Sequence, residues 1–110
     1  MPATNVVFLH SAERDLLELR DYVGKNFGRI AWRTSYKQIN HAVIRLKTFP
    51  LEGYVPDELA SLNVTQYRQV VAGMNRVIYE VRGQMLYIHI VCDTRKDMLS
   101  LLTRRLLRAD

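Results

Sequence analysis

Apolar positions in the first half of the chain recur at helical spacing. Ala12, Leu16, Leu19, Val23 and Phe27 follow one another at steps of four, three, four and four. That is one stripe of an amphipathic helix. Trp32, Tyr36, Ile39, Val43 and Leu46 repeat the pattern at steps of four, three, four and three. Ser11 reads as an N-cap, and Glu13 and Asp15 fall in the first turn, where carboxylates favour the helix dipole. Gly28 separates the two helices and Pro50 ends the second. Two helices so joined form an αα-hairpin. Ahead of them, Val6 to Leu9 is a short β-prone run that predicts a first strand.

The second half changes period. Tyr67–Val71, Arg76–Val81 and Met85–Cys92 are rich in Val, Ile and Tyr and read as strands. Gly73 and Asn75 mark the first turn, and Arg82-Gly83-Gln84 the second. These links are too short for a parallel crossover, which predicts an antiparallel meander. Between hairpin and meander, Phe49 to Leu62 reads as a surface loop with a helical turn near Pro56-Asp57-Glu58-Leu59. Beyond Asp93-Thr94, Met98, Leu99, Leu102 and Leu106 return to helical spacing, with Arg104, Arg105 and Arg108 in the last turns. The predicted order is β-α-α-β-β-β-α. The fold class is α+β: an antiparallel twisted sheet, with an N-terminal helical hairpin and a C-terminal helix against one of its faces.

Composition narrows the class. The 110 residues suit one domain, spanning 1–110. A single cysteine, Cys92, excludes an intramolecular disulfide and any multi-cysteine metal centre. His10, His41 and His89 lack ligand-like spacing, and no phosphate-binding or dinucleotide-binding glycine motif is present. No metal and no cofactor are expected. No apolar run approaches the ~18 residues of a membrane span. With no export signal visible, a cytoplasmic protein without membrane contact is expected. The net charge is +5, from 16 basic and 11 acidic residues. It is basic in both halves, which points to an acidic or nucleic-acid-like partner without naming one.

Arginine on strands is the informative chemistry, because long charged side chains are depleted in sheets. Arg68 and Arg76 lie on adjacent strands, and Arg95 and Lys96 follow the last one. With helices on one side only, these arginines gather on the open side, where they can grip phosphate or carboxylate. The plainer reading makes them edge charges that discourage strand pairing. Glu80 alternates with Arg76, which predicts an ion pair to Arg68 or Arg76. His89 is expected to share a side with Tyr87 and Val91, as a core or cross-strand histidine. Asp93 beside Cys92 raises the thiol pKa and argues against a thiolate nucleophile. Arg104, Arg105 and Arg108 complement the dipole of the last helix or touch an acidic partner.

A resemblance then joins these segments. Tyr67-Arg68, the run Asn75-Arg76-Val77-Ile78-Tyr79-Glu80-Val81, Leu86 to Val91 and Asp93-Thr94-Arg95-Lys96-Asp97 together resemble the RelE/ParE toxin superfamily. The Ser11 to Leu16 opening and Phe49-Pro50 resemble it too. The resemblance implies the same fold and the toxin of a bacterial type II toxin–antitoxin pair. Its implied partner is a cognate antitoxin that wraps the toxin, on the hairpin together with the C-terminal helix, and through which operator DNA is bound. RelE-like members enter the ribosome and cut mRNA; ParE-like members bind DNA gyrase without catalysis of their own. RNA cleavage needs a base, an acid and cations for the developing phosphorane charge. Arg68, Arg76 and Arg95 match RelE-like cation positions. However, Val70 stands where a second strand cation falls, and Leu101 where a terminal tyrosine falls. No His or Tyr follows His89. The Asp93 to Asp97 stretch resembles the ParE-like ending. The expectation is a gyrase-directed toxin with Arg68, Arg76, Arg95, Lys96, Arg104 and Arg105 facing the target. The alternative is a ribosome-dependent mRNA endoribonuclease, with Arg68, Arg76 and Arg95 on the scissile phosphate.

Overall fold

A computed structural model describes residues 5–107. Its elements are β1 (Asn5–Phe8), α1 (His10–Phe27), α2 (Arg29–Thr48), α3 (Asp57–Ala60), β2 (Tyr67–Ala72), β3 (Asn75–Arg82), β4 (Met85–Asp93) and α4 (Met98–Leu102). A π-helical turn, Thr103–Leu107, continues α4. The expected order β-α-α-β-β-β-α is present, with α3 as the helical turn after Pro56. Arg108 lies outside the described residues. No described helix is long and apolar enough to cross a membrane.

The sheet order is β1-β4-β3-β2. Two-residue turns, Gly73-Met74 and Gly83-Gln84, join β2, β3 and β4 as the antiparallel meander. Both glycines take positive φ, +64° and +60°, the left-handed backbone such tight turns require. β1 instead pairs parallel to β4, Asn5 opposite Met85 through Phe8 opposite Ile88. The sheet is therefore mixed, which corrects the antiparallel expectation. The short-link argument governs only β2–β4; the helical hairpin after β1 is a connection long enough to bring a parallel neighbour alongside. The same pairing displaces the expected Ser11 cap. Leu9 still donates its N–H to Ile88 (3.0 Å) while it serves as N-cap of α1, so Ser11 already lies inside the helix.

The sheet is covered on both faces, which corrects the one-sided arrangement. Ala12, Leu19, Ile39, Val43 and Leu46 of the hairpin pack on Ala72, Val77, Tyr79, Leu86, Ile88 and Val91. On the opposite face Leu59, Met98 and Leu102 pack on Tyr67, Ile78, Ile90 and Cys92. Each β3 residue thus serves the core its parity dictates. β4 breaks parity at a bulge: Ile90 opposes Ile78 and Ile88 opposes Tyr79, leaving His89 without an opposite residue. The extra residue sends Val91 to the hairpin core, away from Tyr87 and His89. The apolar stripes are buried through their middles. Phe27 and Tyr36, toward the hairpin's Gly28 link, stay largely exposed, while Trp32 is half-buried.

One loop is tied down by a tyrosine. Fully buried Tyr79 donates its hydroxyl hydrogen to the Pro50 carbonyl (2.8 Å) and accepts from the Gly53 N–H (2.9 Å). Tyr54 adds a bridge to Gln69 at the outer edge of β2. A Cβ on Gly53 would sit 2.6 Å from both the Gln69 carbonyl oxygen and the Tyr79 hydroxyl. Gly24, inside α1, has nothing within 4 Å. Gly53→Ala is therefore expected to destabilise the fold by about 1–3 kcal/mol. Gly24→Ala is expected to stabilise it by up to about 1 kcal/mol. Urea midpoints moving in opposite directions would check both.

Candidate functional site

The site grows from an unfinished edge. β1 pairs with β4 only as far as Ile88, so the outer edge of β4 is bare beyond it. Asp15, one turn into α1, fills the gap: its Oδ2 accepts the Val91 N–H at 3.0 Å. Arg105, in the π turn, donates to the His89 carbonyl at 2.8 Å and holds both Asp15 oxygens at 3.0 and 3.1 Å. One carboxylate–guanidinium fork thus stands in for a missing strand and ties α1, β4 and the C-terminal helix together. Beside it a cavity of about 630 Å³ opens between α1 and α4. Its walls include Tyr22, Leu19 and Leu101, and its rim carries Arg95, Lys96 and Arg104.

These cations differ in freedom. Arg95 forks onto Asp93 at 2.9 and 2.8 Å, yet its side chain keeps 60% of its exposure. That fork, with the Arg95 backbone N–H, holds the Asp93 carboxyl below its ordinary pKa and raises the guanidinium's. Lys96 and Arg104 are exposed, and their side chains make no hydrogen bond or ion pair among the described residues. Cys92 is buried at the cavity floor, and burial pushes its thiol up to about 11. Asp97 accepts from the Ser100 hydroxyl (2.9 Å) and backbone N–H (3.3 Å), capping α4. Glu18 is the lining carboxylate without a partner among the described residues, and no histidine lines the cavity with it.

The strand arginines do not join this cluster, nor each other. Arg68 opposes Tyr79 and so points to the hairpin face, where it donates to the carbonyls of Gly53 (2.7 Å) and Leu51 (3.4 Å). Arg76 opposes Val71 and points to the other face. It donates to Gln69 (2.6 Å) and forks onto both oxygens of Glu58 at 3.2 Å. That fork lowers the Glu58 pKa. The expected gathering on an open side is corrected: the arginines sit at positions of opposite parity, and helices cover both sides. Of the six residues singled out in the sequence, Arg95, Lys96, Arg104 and Arg105 line one cavity, and Arg105 is spent within it. Asp15, the anchor of this arrangement, was read in the sequence only as a first-turn carboxylate.

Glu80 pairs neither with Arg68 nor with Arg76. One of its oxygens meets His89 Nε2 at 3.1 Å and Arg82 at 3.1 Å. The Tyr67 ring stands edge-on to His89, centroids 5.1 Å apart. The bulge turns His89 toward Glu80, and cross-strand pairing places Glu80 beside Tyr67. Burial lowers the His89 pKa, with the Glu80 hydrogen bond opposing it.

Two outcomes follow. Asp15→Ala strands the Val91 N–H and the Arg105 guanidinium, and is expected to cost about 1–3 kcal/mol, measured by urea unfolding. For His89, the folded-state pKa lies below the unfolded one, so the unfolded chain binds the proton first as pH falls. Its contribution to stability is complete above about pH 6.5 and is lost below it. His89→Gln should therefore flatten the fall in urea midpoint between about pH 7 and pH 5. An unchanged slope would assign that fall to other groups.

Comparison with known proteins agrees with this fold. The family model described as the ParE toxin of the type II toxin–antitoxin system parDE matches residues 6–97. A chain of the chromosomal ParDE TA system from P. aeruginosa superposes with a TM-score of 0.68 at 14% identity, covering 84% of this chain and 98% of its own. A chain of the RelBE2 toxin–antitoxin complex from Mycobacterium tuberculosis superposes at 0.58 and 21% identity, covering 84% and 99%. No curated protein sequence matches. At these identities the two structures speak for the fold alone, and the family match, running from β1 through the Asp93–Arg95 fork, speaks for descent: the chain belongs to the ParE toxin family of type II toxin–antitoxin systems.

Proposed function

We propose that this toxin acts by binding DNA gyrase, and that a cognate antitoxin protein neutralises it and carries the complex to operator DNA. The observation that carries the reading is the cavity rim. Arg95, Lys96 and Arg104 stay exposed around an opening whose walls include Leu19, Tyr22 and Leu101, and among the described residues no histidine stands beside its one unpartnered carboxylate, Glu18. Exposed cations beside an aromatic and aliphatic wall suit recognition of a protein surface. Cleavage of RNA asks for a proton acceptor and a proton donor on either side of one phosphate. Asp15 and Asp93 are each held by an arginine, and the Cys92 thiol stays protonated near neutrality. Arg68 and Arg76 lie on opposite faces of the sheet and neither lines the cavity with Arg95, which argues against the ribosome-dependent endoribonuclease reading.

On this reading the antitoxin covers the hairpin together with the C-terminal helix. Leu17 and Tyr22 of α1 and Leu99 of α4 are each about half exposed, apolar positions that an amphipathic partner segment would cover.

Gyrase supercoiling in vitro tests the reading. The chain is expected to inhibit it, and the Arg95→Ala, Arg104→Ala double variant to need at least about tenfold more protein, the loss of about 1.4 kcal/mol. Arg20→Ala, away from the rim, should behave as the parent. Uninhibited supercoiling with codon-positioned cuts in translated mRNA would overturn it in favour of the endoribonuclease.

A further inference from the structure

The net charge of the molecule resides on one helix. α2 carries Arg29, Arg33, Lys37, Arg45 and Lys47 and no acidic residue. The rest of the chain is balanced, with eleven basic and eleven acidic residues. Arg45 turns away to Glu52 and the Phe49 ring. The other four are exposed and make no hydrogen bond or ion pair among the described residues. With Asn40 and Ile44 they form one line along the solvent face, Arg29-Arg33-Lys37-Asn40-Ile44-Lys47, at steps of four, four, three, four and three. At about 1.5 Å per residue the line is about 27 Å long.

This arrangement costs the isolated chain stability. Arg29–Arg33 and Arg33–Lys37 are like-charge pairs at i, i+4, each unfavourable by about 0.2–0.5 kcal/mol. Two of the cations lie in the first turns, at the positive end of the helix dipole, where acids would be favoured. The N-cap is Gly28, without a side-chain hydrogen bond. A bound polyanion relieves the charge terms together.

We propose that the outer face of α2 binds the phosphate backbone of a nucleic-acid duplex, a sequence-independent grip separate from the cavity rim. The line is cationic and polar along its length, with Ile44 as its one apolar member and Ile30 beside its start. An interface to an acidic protein would ask for contiguous apolar anchors between the charges, and lysine is depleted there. Arg29, Arg33 and Lys37 repeat every about 6 Å and Lys47 follows about 15 Å further on; cations lined along one helix face are the footprint of backbone contact. The grip goes beyond the gyrase reading and stands without it. Sequence-specific operator reading remains with the antitoxin.

The test is fluorescence anisotropy of the purified chain with labelled random-sequence duplexes of about 20 base pairs, one DNA and one RNA, across a salt series. Four phosphate contacts predict a slope of log affinity on log salt near −3.6 for DNA. Neutralising two of the four, in the Arg33→Gln, Lys37→Gln variant, should shrink that slope by about two units and weaken binding at least about tenfold. These side chains have no partners to lose, so the variant keeps the parent fold. Equal binding of both duplexes supports the shared backbone as the ligand; preference for one supports it and identifies the source. The proposal is overturned if the variant keeps the parent slope, or if the Arg95→Ala, Arg104→Ala variant accounts for the loss instead. It is also overturned if polyglutamate of equal charge displaces the chain as well as unlabelled duplex does.

Discussion

A strand four residues long leaves half of its neighbour's edge unpaired, and the fold is arranged around closing that gap. β1 ends at Phe8, opposite Ile88. The Val91 N–H and the His89 carbonyl beyond it would otherwise be stranded between packed elements, at a cost of about 1–3 kcal/mol each. Asp15 and Arg105 supply the two missing partners and neutralise each other. The side chains are only 14% and 22% exposed, so neither is tolerable without the other. The C-terminal segment is thereby locked to α1 as well as to the sheet, and the space left between those two walls is the cavity.

The His89 bulge is the complementary device on the same strand. Without it, strict alternation would give Ile88 and Ile90 to the same core. The extra residue lets Ile88 fill the hairpin core and Ile90 the opposite one. It also sets His89 against Glu80 and Tyr67, as a polar group satisfied within a half-buried setting. A parity argument applied to β4 therefore fails at one residue and is wrong for Val91 beyond it. Nothing in the composition of Met85–Asp93 signals where the extra residue falls.

The same distinction explains what the sequence made legible. Periodicity is a local property, so the hairpin, the three-strand meander and the final helix were readable from spacing. The pairing of β1, the covering of the second face and the destinations of the arginines are set by distant partners. Arg68 reads as a surface cation until Tyr79 and Gly53 are seen to bring two loop carbonyls to it. Arg76 reads likewise until α3 delivers Glu58. The net charge of each half does not reveal the concentration of cations on α2, because that helix sits wholly in one half while the acids of α1 offset it there. The segment after β4 was the exception: Arg95 and Lys96 stood out as cations following the last strand, and they lie on the cavity rim.

Two cationic surfaces remain, and their settings differ enough to separate their roles. At the rim, Arg95 is preorganised by Asp93 and stands beside Tyr22 and Leu101. A guanidinium already oriented loses less side-chain entropy on binding, and apolar neighbours exclude water from the contact. Such a surface gains from shape match and tolerates salt. The α2 line has flexible, solvated side chains, no orienting carboxylates and little apolar support. Its affinity can come only from charge density and counterion release, which salt abolishes. Mutual repulsion along that line is a standing cost that folding does not need, since Ile39, Val43 and Leu46 already anchor the helix from the other side. That cost falls on the exposed face of a well-anchored helix, where the fold carries it and a bound polyanion would offset it.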